Sequence, residues 1–260
     1  MTILIAGGGI AGLSLGLTLH EIGVPFRIFE AVEHMKPLGV GINLQPNAVR
    51  ELISLGLEKE LAAIGVRTRQ YGFYSKLGKT IWEEPRGTSA GYAWPQYSVH
   101  RGELQMMLYQ ALIDRAGPDR IETGARAVGF ETTDDGATLI LADGRREQGA
   151  LVVAADGIHS ALRAQMYPNE GDPIWNGRVL WRATTFADAF FGGGAMVMIG
   201  HDDLRLVAYP ISNTDSTGHA TVNWIAEKRF PLNTSWKKED WNRAADIGDF
   251  LPDFETWTFD

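Results

Sequence analysis

Gly7, Gly9 and Gly12 stand near the start of the chain in the spacing G-x-G-x-x-G, with Ile10 and Ala11 between the last two. That spacing suits a diphosphate. Gly7 permits a tight turn, Gly9 leaves room for phosphate oxygens to approach the backbone, and Gly12 lets a helix pack close to a strand. A helix opening at Ile10 and Ala11 would present free N–H groups and its positive dipole end to the phosphates. Glu30 lies 18 residues beyond Gly12, at the end of the next apolar run. Its carboxylate can accept both hydroxyls of a ribose and would repel a 2′-phosphate. No Arg follows directly, in Ala31-Val32-Glu33, so the nucleotide expected is FAD or NAD.

The elements that must hold these residues are legible around them. Thr2 to Ala6 reads as a buried parallel strand, Ile10 to Ile22 as a helix stopped at Gly23, and Val24 to Phe29 as a second strand. Residues 2–19 carry no charge, which is about the length of a membrane helix. Three consecutive glycines, Gly7 to Gly9, would weaken such a helix badly, and no Lys or Arg precedes the run as a secretion signal requires. The strand–turn–helix–strand–Glu setting makes the glycine spacing a nucleotide cradle instead.

A simple NAD dehydrogenase would continue with strand–helix units at short intervals. Here a glycine-containing excursion, Pro37 to Pro46, follows. Helical patterns are expected at Asn47–Leu55 and Leu57–Ile64, and strands at Thr68–Ser75 and Thr80–Glu84. Ser98-Val-His-Arg101 leads into a helix from Gly102 to about Arg115. Ala125–Thr133 and Ala137–Leu141 read as a hairpin about Asp134-Asp135-Gly136, with a further turn at Asp143-Gly144. A buried-strand run then returns at Ala150 and ends in Asp156-Gly157, followed by Ser160 and Arg163. Arg101 at a helix start is electrostatically unfavourable unless an anion lies close by.

With both glycine-rich motifs in place, the chain resembles the single-component FAD-dependent aromatic hydroxylases related to para-hydroxybenzoate hydroxylase, in particular the branch acting on salicylate and phenazine carboxylate. The resemblance rests on Gly7, Gly9, Gly12 and Glu30, on Arg101 in His-Arg-Gly-Glu-Leu, and on Asp156, Gly157, Ser160 and Arg163 as D-G-x-x-S-x-x-R. Gly39-Val-Gly41-Ile-Asn-Leu-Gln-Pro-Asn47 is similar to the family's loop near the isoalloxazine, which adds Gly41 to the cofactor-binding set. Two fingerprints about 145 residues apart are far more selective together than either alone.

The resemblance implies an α/β fold: a Rossmann-like FAD-binding domain interleaved with an antiparallel β-sheet substrate domain. The expected division is residues 1–75 and 98–175 for the first, and 76–97 and 176–260 for the second. It implies FAD as cofactor, NADH or NADPH as transient co-substrate docking near Asp156–Arg163, and O₂ and a small aromatic molecule as substrates. The implied reaction is ring hydroxylation through a C4a-hydroperoxyflavin. Within the second domain, Trp181–Phe186, Ala195–Gly200, Leu204–Ile211 and Ala220–Ile225 read as antiparallel strands, with turns at Gly192–Gly194 and Asp202–Asp203. Phe190 and Phe191 suit a hairpin or core, and Trp236 to Trp241 a solvated helix start. The family's third fingerprint, a Gly-Asp on an apolar strand, is not met: Ile247-Gly248-Asp249-Phe250 has the letters after a polar stretch. The chain is therefore expected to be the front part of a longer protein.

Composition narrows the alternatives. The chain has 260 residues, 24 Lys and Arg against 32 Asp and Glu, and a net charge of −8. That disfavours nucleic acid as a partner. Absence of cysteine excludes disulfides and a pyridine nucleotide–disulfide reductase, and fits a cytoplasmic location. The six histidines show no metal-ligand spacing, so no metal is expected, and no catalytic side chain stands out. A homodimer stays open. Two rivals remain beside the hydroxylase: a non-catalytic nucleotide- or flavin-binding module, and a plain NAD dehydrogenase.

Overall fold

The computed structural model describes residues 2–171, 173–234 and 244–258. Along the chain, β1 (Ile3–Ala6), α1 (Ile10–Glu21) and β2 (Phe26–Phe29) are followed by β3 (Gly41–Leu44), α2 (Pro46–Ser54) and α3 (Glu58–Ile64). Next come β4 (Gly65–Thr68), β5 (Gln70–Tyr74), β6 (Thr80–Pro85), β7 (Gln96–His100) and α4 (Arg101–Ala116). Then follow β8 (Ile121–Glu122), β9 (Ala127–Thr133), β10 (Gly136–Leu141), β11 (Arg146–Gly149), β12 (Leu151–Ala154) and α5 (Ala161–Met166). The later strands are β13 (Arg178–Asp188), β14 (Ala195–Gly200), β15 (Leu204–Pro210) and β16 (His219–Arg229). Trp236 to Trp241 lies outside the described residues.

The chain crosses repeatedly between two compact units. The first comprises residues 1–38, 55–57 and 101–172. Its parallel sheet has the order β12-β1-β2-β8, so β1 is flanked on both sides. Ile3 stands opposite Leu151 on one side and Phe26 on the other. Period-two alternation splits the apolar side chains between two faces. Leu4, Ala6 and Phe29 pack with Leu139, Leu141 and Leu162, which come from the antiparallel sheet β11-β10-β9 and from α5. On the helical side, Leu13 and Leu17 of α1 and Leu104, Leu108 and Leu112 of α4 are fully buried. The uncharged opening is thus spent on one buried strand and one 12-residue helix. Among the described residues no helix is long and apolar enough to cross a membrane.

The second unit comprises residues 39–54, 58–100 and 173–260. A three-stranded sheet, β3-β7-β4, accompanies a six-stranded sheet of order β13-β16-β15-β14-β5-β6. Every neighbouring pair in the larger sheet is antiparallel except β14 with β5, which run parallel from Ala195 opposite Gln70 to Ile199 opposite Tyr74. An all-antiparallel sheet was expected from its second-half strands alone. The parallel pair arises because β5 reaches it from far upstream.

Strand pairing also moves the division of the chain. Residues 39–54, 58–75, 98–100 and 173–175, expected with the nucleotide-binding portion, fall in the second unit. The reason is the register: β3 and β4 both pair with β7, Leu44 and Arg67 each opposite Tyr97, while β5 joins the large sheet. Part of the glycine-containing excursion is therefore a strand. Ile247 to Asp249 forms a short 3₁₀ turn capped by Asp246, whose Oδ1 accepts the Gly248 N–H at 2.7 Å. It is not a strand.

Candidate functional site

The glycine loop runs from the end of β1 into α1, and its three spaced glycines meet different surroundings. Gly7 has φ +105°, and a Cβ there would lie 2.3 Å from the Ala155 carbonyl oxygen and 3.1 Å from Asp156 Cα. A Cβ on Gly12 would lie 2.0 Å from the Gly7 carbonyl oxygen, so helix and turn touch through bare backbone. Gly9 is the exception: a Cβ there would meet nothing within 4 Å. The side chain is thus missing at Gly9 although the protein itself leaves room for one. Gly9 is also the N-cap of α1, no side chain caps that end, and no acidic residue stands in the first turn, where Ile10, Ala11 and Gly12 lie. Backbone N–H groups at such an end are left for ligand oxygens. These features fit a bound diphosphate.

One residue of the loop is held through both of its flanking peptide groups. The Gly8 N–H donates to Glu30 Oε2 at 2.5 Å, and the Gly8 carbonyl accepts from Gln105 Nε2 at 3.1 Å. Glu30 follows β2 directly; its own backbone is fixed by a bond from its N–H to the Glu122 carbonyl, 2.8 Å, and one from the Ala125 N–H to its carbonyl, 2.8 Å. Its other carboxylate oxygen accepts the Val32 N–H at 2.9 Å. Each carboxylate oxygen keeps a further lone pair, so the hydroxyl-accepting capacity remains. The two-residue β8 that supports Glu30 is too short for any periodicity to reveal.

Residues 156–163 form the second cluster, immediately after β12. Ser160 Oγ donates to Asp156 Oδ1 at 2.6 Å and accepts the Arg163 N–H at 2.9 Å, capping α5. Asp156 Oδ2 accepts from the Leu162 N–H at 3.4 Å. Asp156, Gly157, Ser160 and Arg163 share an open cavity of about 420 Å³ with Met166, Tyr167 and Glu170. Arg163 is paired with Glu170, Nε to Oε2 at 2.8 Å and Nη2 to Oε1. The pair holds the Glu170 carboxyl below its ordinary range and raises the guanidinium. Both are exposed, so the pair is a weak tether that an anionic ligand could replace.

Arg101 begins α4 and is exposed. Gln105 sits four residues further along the same helix, one turn on and on the same face. The helix that carries Arg101 is therefore fixed to the glycine loop through Gln105. Gly41 belongs to the second unit and is engaged there. Its N–H donates to Asn223 Oδ1 at 2.7 Å, and a Cβ would stand 2.6 Å from Tyr209 Cε2. Internal packing alone forbids a larger residue at that position.

The first unit therefore brings together Gly7, Gly9, Ile10, Ala11, Gly12 and Glu30, and sets Asp156 against Gly7; Gly157, Ser160 and Arg163 continue from there. Gln105 and Glu170 were not visible in the sequence. Gln105 stands four residues past Arg101, a spacing that could have marked it.

Comparison with known proteins bears on this arrangement. Phenazine 1,6-dicarboxylic acid hydroxylase PhzS of Lysobacter antibioticus is 38% identical over 99% of this chain and 65% of its own length. An FAD-dependent urate hydroxylase of Klebsiella pneumoniae is 28% identical over 75% of this chain and 50% of its own length. The crystal structure of Klebsiella pneumoniae HpxO with FAD and uric acid superposes with a TM-score of 0.77, at 24% identity, over 99% of this chain and 62% of that one. This likeness shows the shared fold. The chain spans less than two thirds of the length of each. The family model for the FAD binding domain matches residues 1–246, and the chain belongs to that family.

Proposed function

We propose that the protein is an FAD-dependent monooxygenase that uses NADH or NADPH and O₂ to hydroxylate a small aromatic or heteroaromatic molecule. The observation that carries this reading is the meeting of the two fingerprints, Gly7 against Ala155 and Asp156, beside an α1 end left open at Gly9. FAD, the cofactor of the family, supplies the electron transfer and oxygen activation when bound.

The chain's own residues would do the holding. The first turn of α1, at Ile10 to Gly12, binds the diphosphate. Glu30 accepts ribose hydroxyls with the lone pairs its two backbone partners leave free. Arg101 offers a cation to a phosphate, and Gln105 keeps the Gly8 peptide aligned. Asp156, Gly157 and Ser160 present a fixed, polar loop beside the turn, and Arg163 offers a cation that can exchange Glu170 for an anionic ligand. Gly41 keeps the Gly39–Asn47 segment seated on its own unit. Residues 1–38 and 101–172 serve as the FAD-binding part and the remainder as the substrate-binding part.

The alternative is flavin binding without turnover, which the same open start of α1 would serve. One experiment separates the two. The purified protein is scored for bound FAD, for bleaching of the flavin by NADH or NADPH, and for O₂ uptake raised by aromatic acids or phenols. The hydroxylase reading expects all three. A yellow protein that no pyridine nucleotide bleaches supports the binding module. A colourless protein that retains NAD contradicts both.

A further inference from the structure

The second unit contains a cavity of about 440 Å³ lined by Ala62, Gly65, Val66, Tyr97 and Gly192–Gly193 on its weakly polar side, and by Arg67, Arg69, Asn213 and Thr214. Its size suits a small organic ligand. It carries two guanidiniums. Acids outnumber bases 32 to 24, and Arg27, Arg145, Arg163, Arg178 and Arg205 each meet a carboxylate. Arg67 and Arg69 meet none among the described residues. Arg67 Nε donates to the Tyr97 hydroxyl at 3.1 Å, and Glu58 acts on the guanidinium only at longer range. Arg69 Nη2 donates to the Gly192 carbonyl at 3.2 Å. Each guanidinium has five N–H groups, so both keep donors for a ligand.

The rim is built to hold that geometry. Phe191, Gly192 and Gly193 have φ of 46°, 65° and 71°, three successive left-handed residues. For Phe191 that conformation is strained, and strain of this kind persists where the surroundings impose it. Here the Phe191 ring stacks on Tyr74 with centroids 5.5 Å apart. A Cβ on Gly193 would stand 2.7 Å from Thr214 Oγ1, and one on Gly194 would stand 2.8 Å from Arg69 Nε. The side-chain-free rim thus leaves room for Thr214 and Arg69 at the cavity.

From the two carboxylate-free guanidiniums, the neutral polar pair Asn213 and Thr214, and the Tyr97 ring, we infer that this cavity is an oxyanion site for a small molecule bearing a carboxylate or phosphate. The inference concerns the second unit alone and does not rest on the hydroxylase reading. A guanidinium fork fits a planar carboxylate or a phosphate in two-point contact. The bare backbone at Gly192 and Gly193 leaves room for the rest of the ligand.

Calorimetric titration of the purified protein tests this with three probes: 2-naphthoate, the uncharged 2-naphthol, and pyrophosphate. Arg67→Gln/Arg69→Gln is compared with wild type and with Arg67→Lys/Arg69→Lys, which keeps the charge; melting temperature checks folding. The expected result is at least about tenfold weaker binding of one anion in the Gln pair, partial recovery in the Lys pair, and no change for 2-naphthol. Loss confined to 2-naphthoate assigns an aryl carboxylate, and loss confined to pyrophosphate assigns a phosphate. Equal affinity of both anions for wild type and the Gln pair, or binding of neither anion to wild type, overturns the inference.

Discussion

Glu30 and Gly8 are joined by a 2.5 Å hydrogen bond from the backbone N–H to Oε2, while Val32 donates to Oε1 at 2.9 Å. Both carboxylate oxygens are thus engaged by the backbone, each with a lone pair to spare. Glu30→Gln replaces one acceptor by an amide NH₂ that opposes an N–H. We expect FAD and ADP to bind about 10- to 100-fold more weakly, the range of a lost hydrogen bond to a charged group. Fluorescence titration with each ligand measures it; unaltered constants would show that Glu30 serves the loop and not the ribose.

Asp156 joins Ser160 and the start of α5 to the loop that touches Gly7. Asp156→Ala should loosen FAD or slow its reduction by NADH or NADPH, by about tenfold. Stopped-flow bleaching and flavin retention on gel filtration read the two effects separately. Wild-type behaviour in both would remove Asp156 from the site.

Leu108 lies on the buried face of α4, fully inaccessible, on the same helix as Arg101 and Gln105. Leu108→Ala should cost about 2–5 kcal/mol of stability. Urea unfolding followed by circular dichroism gives the value. Near-zero loss would mean that α4 is not packed as described.

Tyr209 is buried, and burial pushes its phenol up from 10.0 to about 12, against the opposing pull of Arg182. The native state therefore keeps this proton at a pH where the unfolded chain has lost it. The associated stability is complete below pH 10 and declines as pH rises toward 12. Thermal melts across that window should fall more steeply for wild type than for Tyr209→Phe. Parallel curves would contradict the shift.

Much of this was legible in the residues. The buried run at Thr2–Ala6, the glycine spacing and Glu30 needed only local rules, because each acts through its own backbone or the next element. The long-range partners were hidden. Gln105 reaches Gly8 across 97 residues and Asn223 reaches Gly41 across 182, and neither bond leaves a local pattern. Strand β3 was obscured by the glycines and prolines about it, since its pairing comes from β7 rather than from its own propensity. The same applies to β5, whose parallel partner lies over a hundred residues downstream.

The most direct test of the central claim uses Gly9, which has ordinary extended φ and ψ of −74° and −177° and open space where a Cβ would go. Gly9→Ala should leave the melting temperature of the flavin-free protein nearly unchanged. Its FAD dissociation constant should rise by at least about tenfold, because the methyl occupies the path of the phosphate to the backbone. An FAD constant equal to that of wild type, in a variant equally well folded, would contradict binding of the diphosphate at the start of α1.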